Sequence, residues 1–474
     1  MLFSQLEFWY FFAAVFALYL VLPFRAQNAM LLVASYIFYG SWDWRFLGLI
    51  AISTIIDYLL ALRIDREIDP ALRRRYLIVS MFMNLGLLGV FKYLNFFIGS
   101  FAALSESMGI PASLPVLGIV LPVGISFYTF QTMSYTIDVY RRELKPAANF
   151  WDFALFVAFF PQLVAGPIER ARNLLPEIMQ PRTVTWDNLS RGAVLCLIGL
   201  IKKIVIADAI APMVDAVYGL DDPSGGAVLV ATWLFAIQIY CDFSGYTDIA
   251  RGVAKMLGFG LMRNFAQPYF ATNPQEFWRR WHISLSTWLR DYLYIWLGGN
   301  RHGTTRTKVN LMTTMVLGGL WHGAAWNFVL WGIYQGGLLV THRQFFGRAK
   351  ADVTRGIRGA VKRVILIALF FQVVSYGWLL FRANSFAQIV DFTARLTTIR
   401  LSDFADLPMP DLPFPALVGL LLLLTWDSMT EITGRVRFYA DWPAPARGLL
   451  WAVLIYALAF GATTASGAFI YFQF

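Results

Sequence analysis

The chain has 474 residues, of which 58% are hydrophobic and only 14% are charged. A soluble domain of this length cannot bury that much apolar surface, so the composition excludes a water-soluble globular protein and indicates a polytopic membrane protein. The net charge of +10 comes from basic residues clustered in loops beside apolar runs. That pattern is typical of membrane topology signals and predicts membrane lipid, with no nucleic acid, as a partner.

The N-terminal part of the chain predicts five membrane spans. They lie near 8–24, 29–41, 46–62, 76–100 and 115–137. Basic residues follow the third and fifth spans, whereas the loop at 101–113 carries a single charge, Glu106. This bias predicts an N-terminus on the outer side and alternating crossings. The first apolar run has no basic n-region and no cleavage site, so we expect it to be retained as a span.

The regular alternation ends after residue 150. The segment 150–165 has basic residues on both sides and runs into Gly166-Pro167, which predicts a segment that enters the membrane and returns. Apolar runs follow at 192–218 and 226–241. The run 309–342 also has basic flanks on both sides, which predicts two half-helices meeting near Gly318-Gly319 and leaves a single crossing open. Spans near 361–381, 413–426 and 449–472 complete the chain.

These segments predict one architecture for the whole chain. It is an all-α, polytopic integral membrane protein with roughly eleven transmembrane helices plus re-entrant and interfacial helices. No internal repeat and no detachable soluble domain are visible, so 1–474 is predicted to be a single membrane-embedded domain. Cys196 and Cys241 lack the spacing of a disulfide framework, a zinc site or a redox pair, and we expect both to be structural.

Residues 273–300 predict an amphipathic helix at the cytoplasmic interface. Asn273 can cap it, Pro274 suits the first helical position, and Glu276 completes a capping box. Gly298-Gly299 supplies the end of the helix. Bulky apolar side chains recur at helical spacing on one face, namely Trp278, Trp281, Leu285 and Trp288. Such a helix lies in the membrane surface with its basic face in water.

Two tryptophan–histidine pairs, Trp281-His282 and Trp321-His322, are the strongest candidates for chemistry. Histidine exchanges a proton near neutral pH, and a histidine at bilayer depth is costly, so it usually marks a functional site. His322 lies among small residues at 318–325, and we predict that it is catalytic; the alternative is a core histidine bonded to a neighbouring helix. We predict a catalytic role for His282 as well, with a merely solvated imidazole on a surface anchor as the alternative.

Several other residues could contact the substrate. Asp242 could orient an imidazole or hold a turn, and Asn327 could stabilise an oxyanion, as His282 could also do. Arg279 and Arg280 are either topology signals or part of a mouth for a phosphate-bearing acyl carrier. The predicted substrate-binding set is Trp321, Asn327, Trp278, Trp281, Arg279, Arg280 and Asp242. No two histidines share a helix face at metal-ligand spacing, so no metal site is predicted.

Long motifs stand at Leu121–Gln131, Phe159–Ile168, Asp242–Tyr246, Phe277–Tyr294 with Leu297–Arg301, and Gly319–Gly323. These five blocks resemble the signature of the membrane-bound O-acyltransferase family, in its bacterial branch of alginate O-acetylation proteins. The core motifs cover about 120–345. Trp296 stands where a proline is common in the family, and Cys241 where a serine is common.

The resemblance implies a ring of tilted helices around a thin centre pierced by a tunnel. His322 would correspond to the family's catalytic histidine and His282 to its second functional position. The implied enzyme is an O-acetyltransferase of the bacterial inner membrane. It would pass an acetyl group from a cytoplasmic donor, with acetyl-CoA as cosubstrate and no permanently bound cofactor, to an exported polysaccharide.

The resemblance also implies partners and leaves alternatives open. Periplasmic acetyltransferase partner proteins would receive the acetyl group and modify the polymer, with alginate the favoured polysaccharide. One alternative is a D-alanyl or other acyl transferase of the same family that acts on a different cell-envelope polymer. Another is a transporter or flippase without chemistry, because transporters also carry carboxylates in discontinuous helices.

Overall fold

The computed structural model describes residues 1–110, 117–347, 357–405, 407–461 and 470. Regular secondary structure in those ranges is entirely helical, which confirms the predicted fold class. Residues 115–116 of the predicted fifth span, and 462–469 and 471–472 of the predicted last span, lie outside the described residues.

The chain divides into two compact units. One comprises Met1–Ala193 and Ala250–Met262, and the other comprises Val194–Ile249 and Arg263–Phe474. The single membrane domain predicted for 1–474 stays a prediction.

The first unit contains nine α-helices among its described residues, and the last three of them are short. They are α1 (Leu6–Val21), α2 (Phe24–Asp43), α3 (Leu47–Arg66), α4 (Pro70–Leu88), α5 (Leu94–Ser107), α6 (Ile125–Tyr140), α7 (Phe150–Ala158), α8 (Phe160–Leu163) and α9 (Ala171–Met179). A π-helical segment, Gly89–Tyr93, joins α4 to α5. Two longer helices, α10 (Trp186–Leu200) and α12 (Gly225–Met256), begin in one unit and end in the other, and a π-helical segment Ile201–Ala207 leads from α10 to α11 (Asp208–Tyr218).

The second unit continues with eight further helices. They are α13 (Pro274–Arg280), α14 (Ile283–Trp288), α15 (Gly303–His322), α16 (Trp326–Phe346), α17 (Ile357–Arg382), α18 (Phe386–Thr397), α19 (Phe414–Thr433) and α20 (Ala444–Gly461). A third π-helical segment, Leu289–Tyr294, follows α14 directly.

Six helical stretches of the described residues are long and apolar enough to cross a membrane. They are Phe24–Arg66, Pro70–Ser107, Gly225–Met256, Ile357–Arg382, Phe414–Thr433 and Ala444–Gly461. The first of these contains two helices, since a 3₁₀ turn at Trp44–Phe46 separates α2 from α3. The predicted count of eleven is not confirmed. A 16-residue helix such as α1 or α6 extends only about 24 Å, which is less than the roughly 30 Å of a hydrocarbon core.

The segment predicted to enter the membrane and return forms two short helices. Helix α7 has nine residues, which extend about 14 Å and cannot cross a bilayer. The helix is interrupted at Phe159, and the four residues of α8 follow. Every residue of α8 is buried. Non-helical backbone at membrane depth is tolerated where it is surrounded by protein, and this segment meets that condition.

The run 309–342 forms two helices, as predicted, but they do not meet at Gly318-Gly319. Both glycines lie inside α15, and the helices are separated by residues 323–325. A Cβ placed on Gly332 of α16 would lie 2.6 Å from the carbonyl oxygen of Met315. The small residues therefore allow two helical backbones to touch, which is the usual role of small residues between membrane helices.

The prediction of one amphipathic helix over 273–300 is wrong. Asn273 caps α13 as predicted, since its side-chain oxygen accepts a hydrogen bond from the backbone N–H of Glu276 at 2.9 Å. Helix α13 nevertheless ends at Arg280, and α14 begins only at Ile283. The interruption falls on the first tryptophan–histidine pair.

Candidate active site

His322 is the last residue of α15 and is buried, with 4% of its surface exposed. Aromatic rings surround its imidazole edge to face. The centroid distances from His322 are 5.1 Å to Trp331, 5.2 Å to Trp321 and 5.5 Å to Phe381. The predicted catalytic histidine therefore lies in an apolar enclosure, where polar interactions are much stronger than in water.

The structure brings the second predicted histidine to the same place. The ring centroids of His282 and His322 are 6.2 Å apart, and His282 is fully buried. Trp321 contacts both members of the pair, with its ring 5.7 Å from that of His282 and 5.2 Å from that of His322. On another side, Phe243 of α12 packs edge to face on His282 at 4.7 Å. Two imidazoles enclosed together by aromatic rings form the candidate active site.

The backbone turns sharply at His282, which adopts the left-handed conformation with φ 42° and ψ 55°. A non-glycine residue in this region costs about 1–2 kcal/mol, and other contacts must offset that cost. The backbone N–H of Ile283 donates to the carbonyl of Asn264 at 2.9 Å, and the N–H of Ala266 donates to the carbonyl of Arg280 at 2.9 Å. These bonds to the segment 264–266 replace the helical bonds and separate α13 from α14.

The side chain of Asn264 holds both the turn and the imidazole. Its Oδ1 accepts hydrogen bonds from the backbone N–H of Ser284 at 3.1 Å and from the Ser284 hydroxyl at 2.9 Å. His282 Nδ1 lies 3.2 Å from the same oxygen. Asn264 is 1% exposed, and its Nδ2 has no hydrogen-bond partner within the described part of the chain.

Burial keeps the imidazole of His282 neutral at physiological pH. Removal from water lowers its pKa from 6.5 to about 3, because the charged form loses its hydration. His282 belongs to none of the six candidate spans. At neutral pH the residue is therefore an uncharged hydrogen-bonding group.

Asn264 was missed by sequence reasoning. No motif or local spacing connects an asparagine in the run 261–267 with a histidine 18 residues after Asn264. Its importance follows from long-range hydrogen bonds to residues 282–284, which depend on the left-handed turn.

The predicted tryptophans belong to one aromatic wall. Trp281 is fully buried, stacks on Phe277 at 5.6 Å, and lies 4.7 Å from Trp378. Trp278 packs 5.9 Å from Trp331, and the ring of Trp331 also packs on His322. The wall thus connects α13 with the rings around the catalytic candidate.

The two predicted arginines differ in their environments. Arg280 donates to both carboxylate oxygens of Glu431, at 2.6 and 3.0 Å, and to Glu276 at 2.7 Å. Arg363 also contacts Glu431, at 2.6 Å. Arg279, by contrast, is exposed. Arg280 therefore serves an ion-pair network, while Arg279 is accessible at the surface.

Asn327 ties two helices together. Its Nδ2 donates to the carbonyls of Phe381, at 3.1 Å, and Ala383, at 3.2 Å. The start of α16 is thereby fastened to the end of α17, beside the ring of Phe381 that packs on His322. Its substrate-binding role stays a prediction, and a structural role accounts for these two bonds.

Asp242 belongs to a buried ion-pair cluster. The ammonium of Lys203 lies 2.9 Å from Asp242 and 2.8 Å from Asp208. The backbone N–H of Ile470 also donates to Asp242, at 2.7 Å. It is the next residue, Phe243, that packs on His282. The contacts of Asp242 support the structural alternative more directly than the orientation of an imidazole.

Comparison with known proteins identifies the family. The family model described as MBOAT, membrane-bound O-acyltransferase family, matches residues 42–375. The chain is 42% identical over 445 residues to the probable alginate O-acetylase AlgI of Azotobacter vinelandii, covering 93% of this chain and 86% of that protein. It is 41% identical over 424 residues to the probable alginate O-acetylase AlgI of Pseudomonas putida, covering 89% and 84%.

A relative named for a different substrate also matches. The chain is 34% identical over 402 residues to the peptidoglycan O-acetyltransferase of Helicobacter pylori, covering 77% of this chain and 74% of that protein. These matches favour acyl transfer over the transporter or flippase without chemistry. The family model spans most of the chain, including both histidines of the buried pair. The chain belongs to the membrane-bound O-acyltransferase family, and it is a membrane-embedded acyltransferase.

Proposed function

We propose that this acyltransferase passes an acetyl group from cytoplasmic acetyl-CoA across the bacterial inner membrane for O-acetylation of an exported polysaccharide, alginate. Periplasmic acetyltransferase partner proteins receive the group and modify the polymer. The observation that carries the proposal is the buried pair His282 and His322, with rings 6.2 Å apart. The two relatives named as probable alginate O-acetylases support the choice of polymer.

His322 acts as general base in this proposal. An acceptor hydroxyl attacks the thioester carbonyl, a C–O bond forms, and the C–S bond breaks. His322 takes the hydroxyl proton and returns it to the departing thiolate, so that acetyl ester and free thiol are the products. The aromatic rings around the imidazole support this role, because an apolar enclosure strengthens each polar contact in the transition state.

The exposed arginine offers a contact for the donor. Acetyl-CoA carries phosphates. Two arginines follow Trp278 of the aromatic wall, and Arg279 is the exposed one. An exposed guanidinium can bind a phosphate through two parallel hydrogen bonds. Arg280 is held by Glu431 and Glu276 and supports the shape of this surface.

A second polymer is favoured by one observation. The Helicobacter pylori relative is named a peptidoglycan O-acetyltransferase and covers most of the chain. In the bacterium that encodes this chain, the gene would be deleted and the ester-bound acetate measured separately on alginate and on peptidoglycan. Loss of acetate from alginate alone supports the proposal, and loss from peptidoglycan alone replaces alginate with peptidoglycan.

The role of His322 is tested with purified protein in proteoliposomes supplied with radiolabelled acetyl-CoA and the acceptor. We expect His322→Ala to reduce acetyl transfer by about 10²- to 10⁴-fold, the usual contribution of a general base. His342→Ala is the matched control, because His342 lies in α16 away from the aromatic enclosure and is only partly buried. Transfer by His322→Ala near the wild-type rate, at equal amounts of folded protein, would contradict the proposal. Failure of the wild type to use acetyl-CoA would reject that donor.

A further inference from the structure

We propose that Asn264 is a positioning residue that fixes His282 as the Nδ1–H tautomer, so that His282 presents Nε2 to the acyl-transfer site as a hydrogen-bond acceptor. This inference rests on the proposed function, because it assigns a chemical role to the second histidine of that site. It changes the earlier expectation for His282, which included oxyanion stabilisation by hydrogen-bond donation.

The identity of the acceptor atom follows from the backbone. A backbone N–H can only donate, and the N–H of Ser284 lies 3.1 Å from the Asn264 side-chain atom that faces it. That atom is therefore the amide oxygen, and the Ser284 hydroxyl donates to it as well, at 2.9 Å. An amide oxygen accepts and does not donate. His282 Nδ1 lies 3.2 Å from this oxygen and 3.5 Å from the Ser284 hydroxyl, whose single proton is directed at the nearer Asn264 oxygen. The proton of the imidazole is therefore assigned to Nδ1.

The tautomer determines what His282 can do. A neutral imidazole carries one N–H, and with the proton on Nδ1 the lone pair is on Nε2. A lone pair accepts a proton or a hydrogen bond and cannot stabilise a developing oxyanion. His282 therefore orients a donor in the site, such as the acceptor hydroxyl or the imidazole of His322, whose ring packs at 6.2 Å. Among the described residues, His322 is a titratable neighbour of this ring.

The surrounding structure holds this arrangement rigidly. The backbone carbonyl of Asn264 accepts from Ile283, and its side chain accepts from Ser284, so one residue satisfies the first two backbone N–H groups of α14, directly after His282. Phe243 packs on the ring at 4.7 Å and restricts its rotation. A neutral amide also leaves the imidazole uncharged, whereas a carboxylate at this position would favour the imidazolium.

The tautomer of His282 can be determined without measuring enzyme activity. The chain has only four histidines, so protein labelled with ¹⁵N-histidine gives few imidazole signals by solid-state NMR in proteoliposomes. Comparison with His282→Gln identifies the signals of His282. At pH 7 we expect a protonated Nδ1 and an unprotonated Nε2. A proton on Nε2, or on both nitrogens, in the wild-type protein would overturn the proposal.

Activity supplies the second readout. We expect Asn264→Ala to lower kcat by about 10- to 100-fold, the loss typical when a group that orients a functional histidine is removed. Asn264→Asp keeps an oxygen at the same place but adds a negative charge, which raises the pKa of His282. The acid limb of the pH–rate profile should then move to higher pH while activity at alkaline pH is largely restored. If Asn264 served only to pack against its neighbours, the acid limb of the pH–rate profile would not move.

A matched control separates positioning from folding. Asn310 is also a buried asparagine of this unit, and its side chain donates to the carbonyl of Gly299 at 2.9 Å. Asn310→Ala should retain the wild-type pH profile for each folded molecule. If Asn264→Ala and Asn264→Asp both behave like this control, Asn264 does not position His282. The NMR measurement needs no substrate. If His322→Ala retained the wild-type rate of acetyl transfer, the proposed function would be rejected, but the measured tautomer of His282 would be unaffected.

Discussion

Gly319 in α15 faces the carbonyl oxygen of Phe328 in α16 so closely that a Cβ on the glycine would overlap with that oxygen. Gly332 meets the opposite helix in the same way, 2.6 Å from its hypothetical Cβ to the Met315 carbonyl. The helix that ends at His322 therefore contacts its partner backbone to backbone. The position of the catalytic candidate depends on this contact, since α16 also carries Trp331.

We expect Gly319→Ala to destabilise the protein and to reduce acyl transfer. Backbone atoms cannot move aside as a side chain can, and overpacking of this kind typically costs about 1–3 kcal/mol. Melting temperature in detergent and activity per folded molecule measure the two effects. The matched control is Gly337→Ala in α16, where no described atom other than the helix's own nearby backbone lies within 4 Å of the added methyl group. That variant should be neutral or slightly stabilised, because alanine favours helix more than glycine.

The buried cluster around Lys203 should be sensitive to loss of its cation. The side chains of Lys203, Asp208 and Asp242 are 7%, 4% and 3% exposed, so Lys203→Met leaves carboxylates in a water-poor environment. Breaking a buried pair in this way costs about 3–5 kcal/mol. We expect Lys203→Met to lower the melting temperature strongly. Adding Asp242→Asn to that variant should restore part of the loss.

An exposed ion pair of the same unit serves as control for that experiment. Arg382 contacts Asp215 at 2.7 Å, but the Asp215 side chain is 62% exposed. Asp215→Asn should change stability by less than about 1 kcal/mol, because water screens and replaces the interaction. Equal losses in the two experiments would show that the Lys203 cluster behaves like a surface pair.

The pair Arg280 and Glu431 should couple α13 to α19 more strongly than Arg363 couples α17 to α19. Arg280 forms a bidentate pair with Glu431, and both side chains are less than one fifth exposed. A double-mutant cycle of Arg280→Met and Glu431→Gln should give a coupling energy of about 1–3 kcal/mol in thermal stability. The same cycle with Arg363→Met should give less than about 1 kcal/mol, because Arg363 is 46% exposed and makes one contact. Equal couplings would contradict the bidentate geometry.

Local sequence features predicted the class of fold and the identity of the candidate residues. Asn273 and Pro274 mark the start of α13 because capping depends on residues a few positions apart. His322 could be singled out because an imidazole in an apolar run is costly wherever the run lies. The same reasoning could not place His282 beside His322, since their proximity depends on packing between distant segments.

The errors have a common physical origin in long-range contacts. The helix over 273–300 is interrupted because Asn264, remote in sequence, supplies hydrogen bonds that stabilise a left-handed His282. Nothing in the helical periodicity of that segment reports such a partner. Gly318-Gly319 was interpreted as a helix break, but glycines also allow close helix packing, and only the neighbouring helix decides between the two.

The first unit offers a pH-dependent prediction at Glu169, which is 1% exposed and lies outside the candidate spans. Burial raises its pKa from 4.5 to about 7, although its carboxylate accepts a hydrogen bond from the backbone N–H of Met262. At pH values between 4.5 and about 7, Glu169 is protonated in the folded protein but ionised in the unfolded chain. The contribution of this group to stability is therefore complete below about pH 4.5 and decreases as the pH rises toward 7.

We expect Glu169→Gln to remove that dependence. The amide oxygen of glutamine still accepts from Met262, but it never ionises, so the variant should gain stability over the wild type as the pH is raised from 5 to 8. Melting temperatures across this interval provide the measurement. Glu67→Gln is the control, because Glu67 also accepts from backbone N–H groups, those of Ile68 at 2.9 Å and Asp69 at 3.1 Å, but is only partly buried. Parallel melting curves for Glu169→Gln and the wild type across the interval would mean that the carboxyl group is ionised at little cost in the folded protein, and that burial does not control its proton.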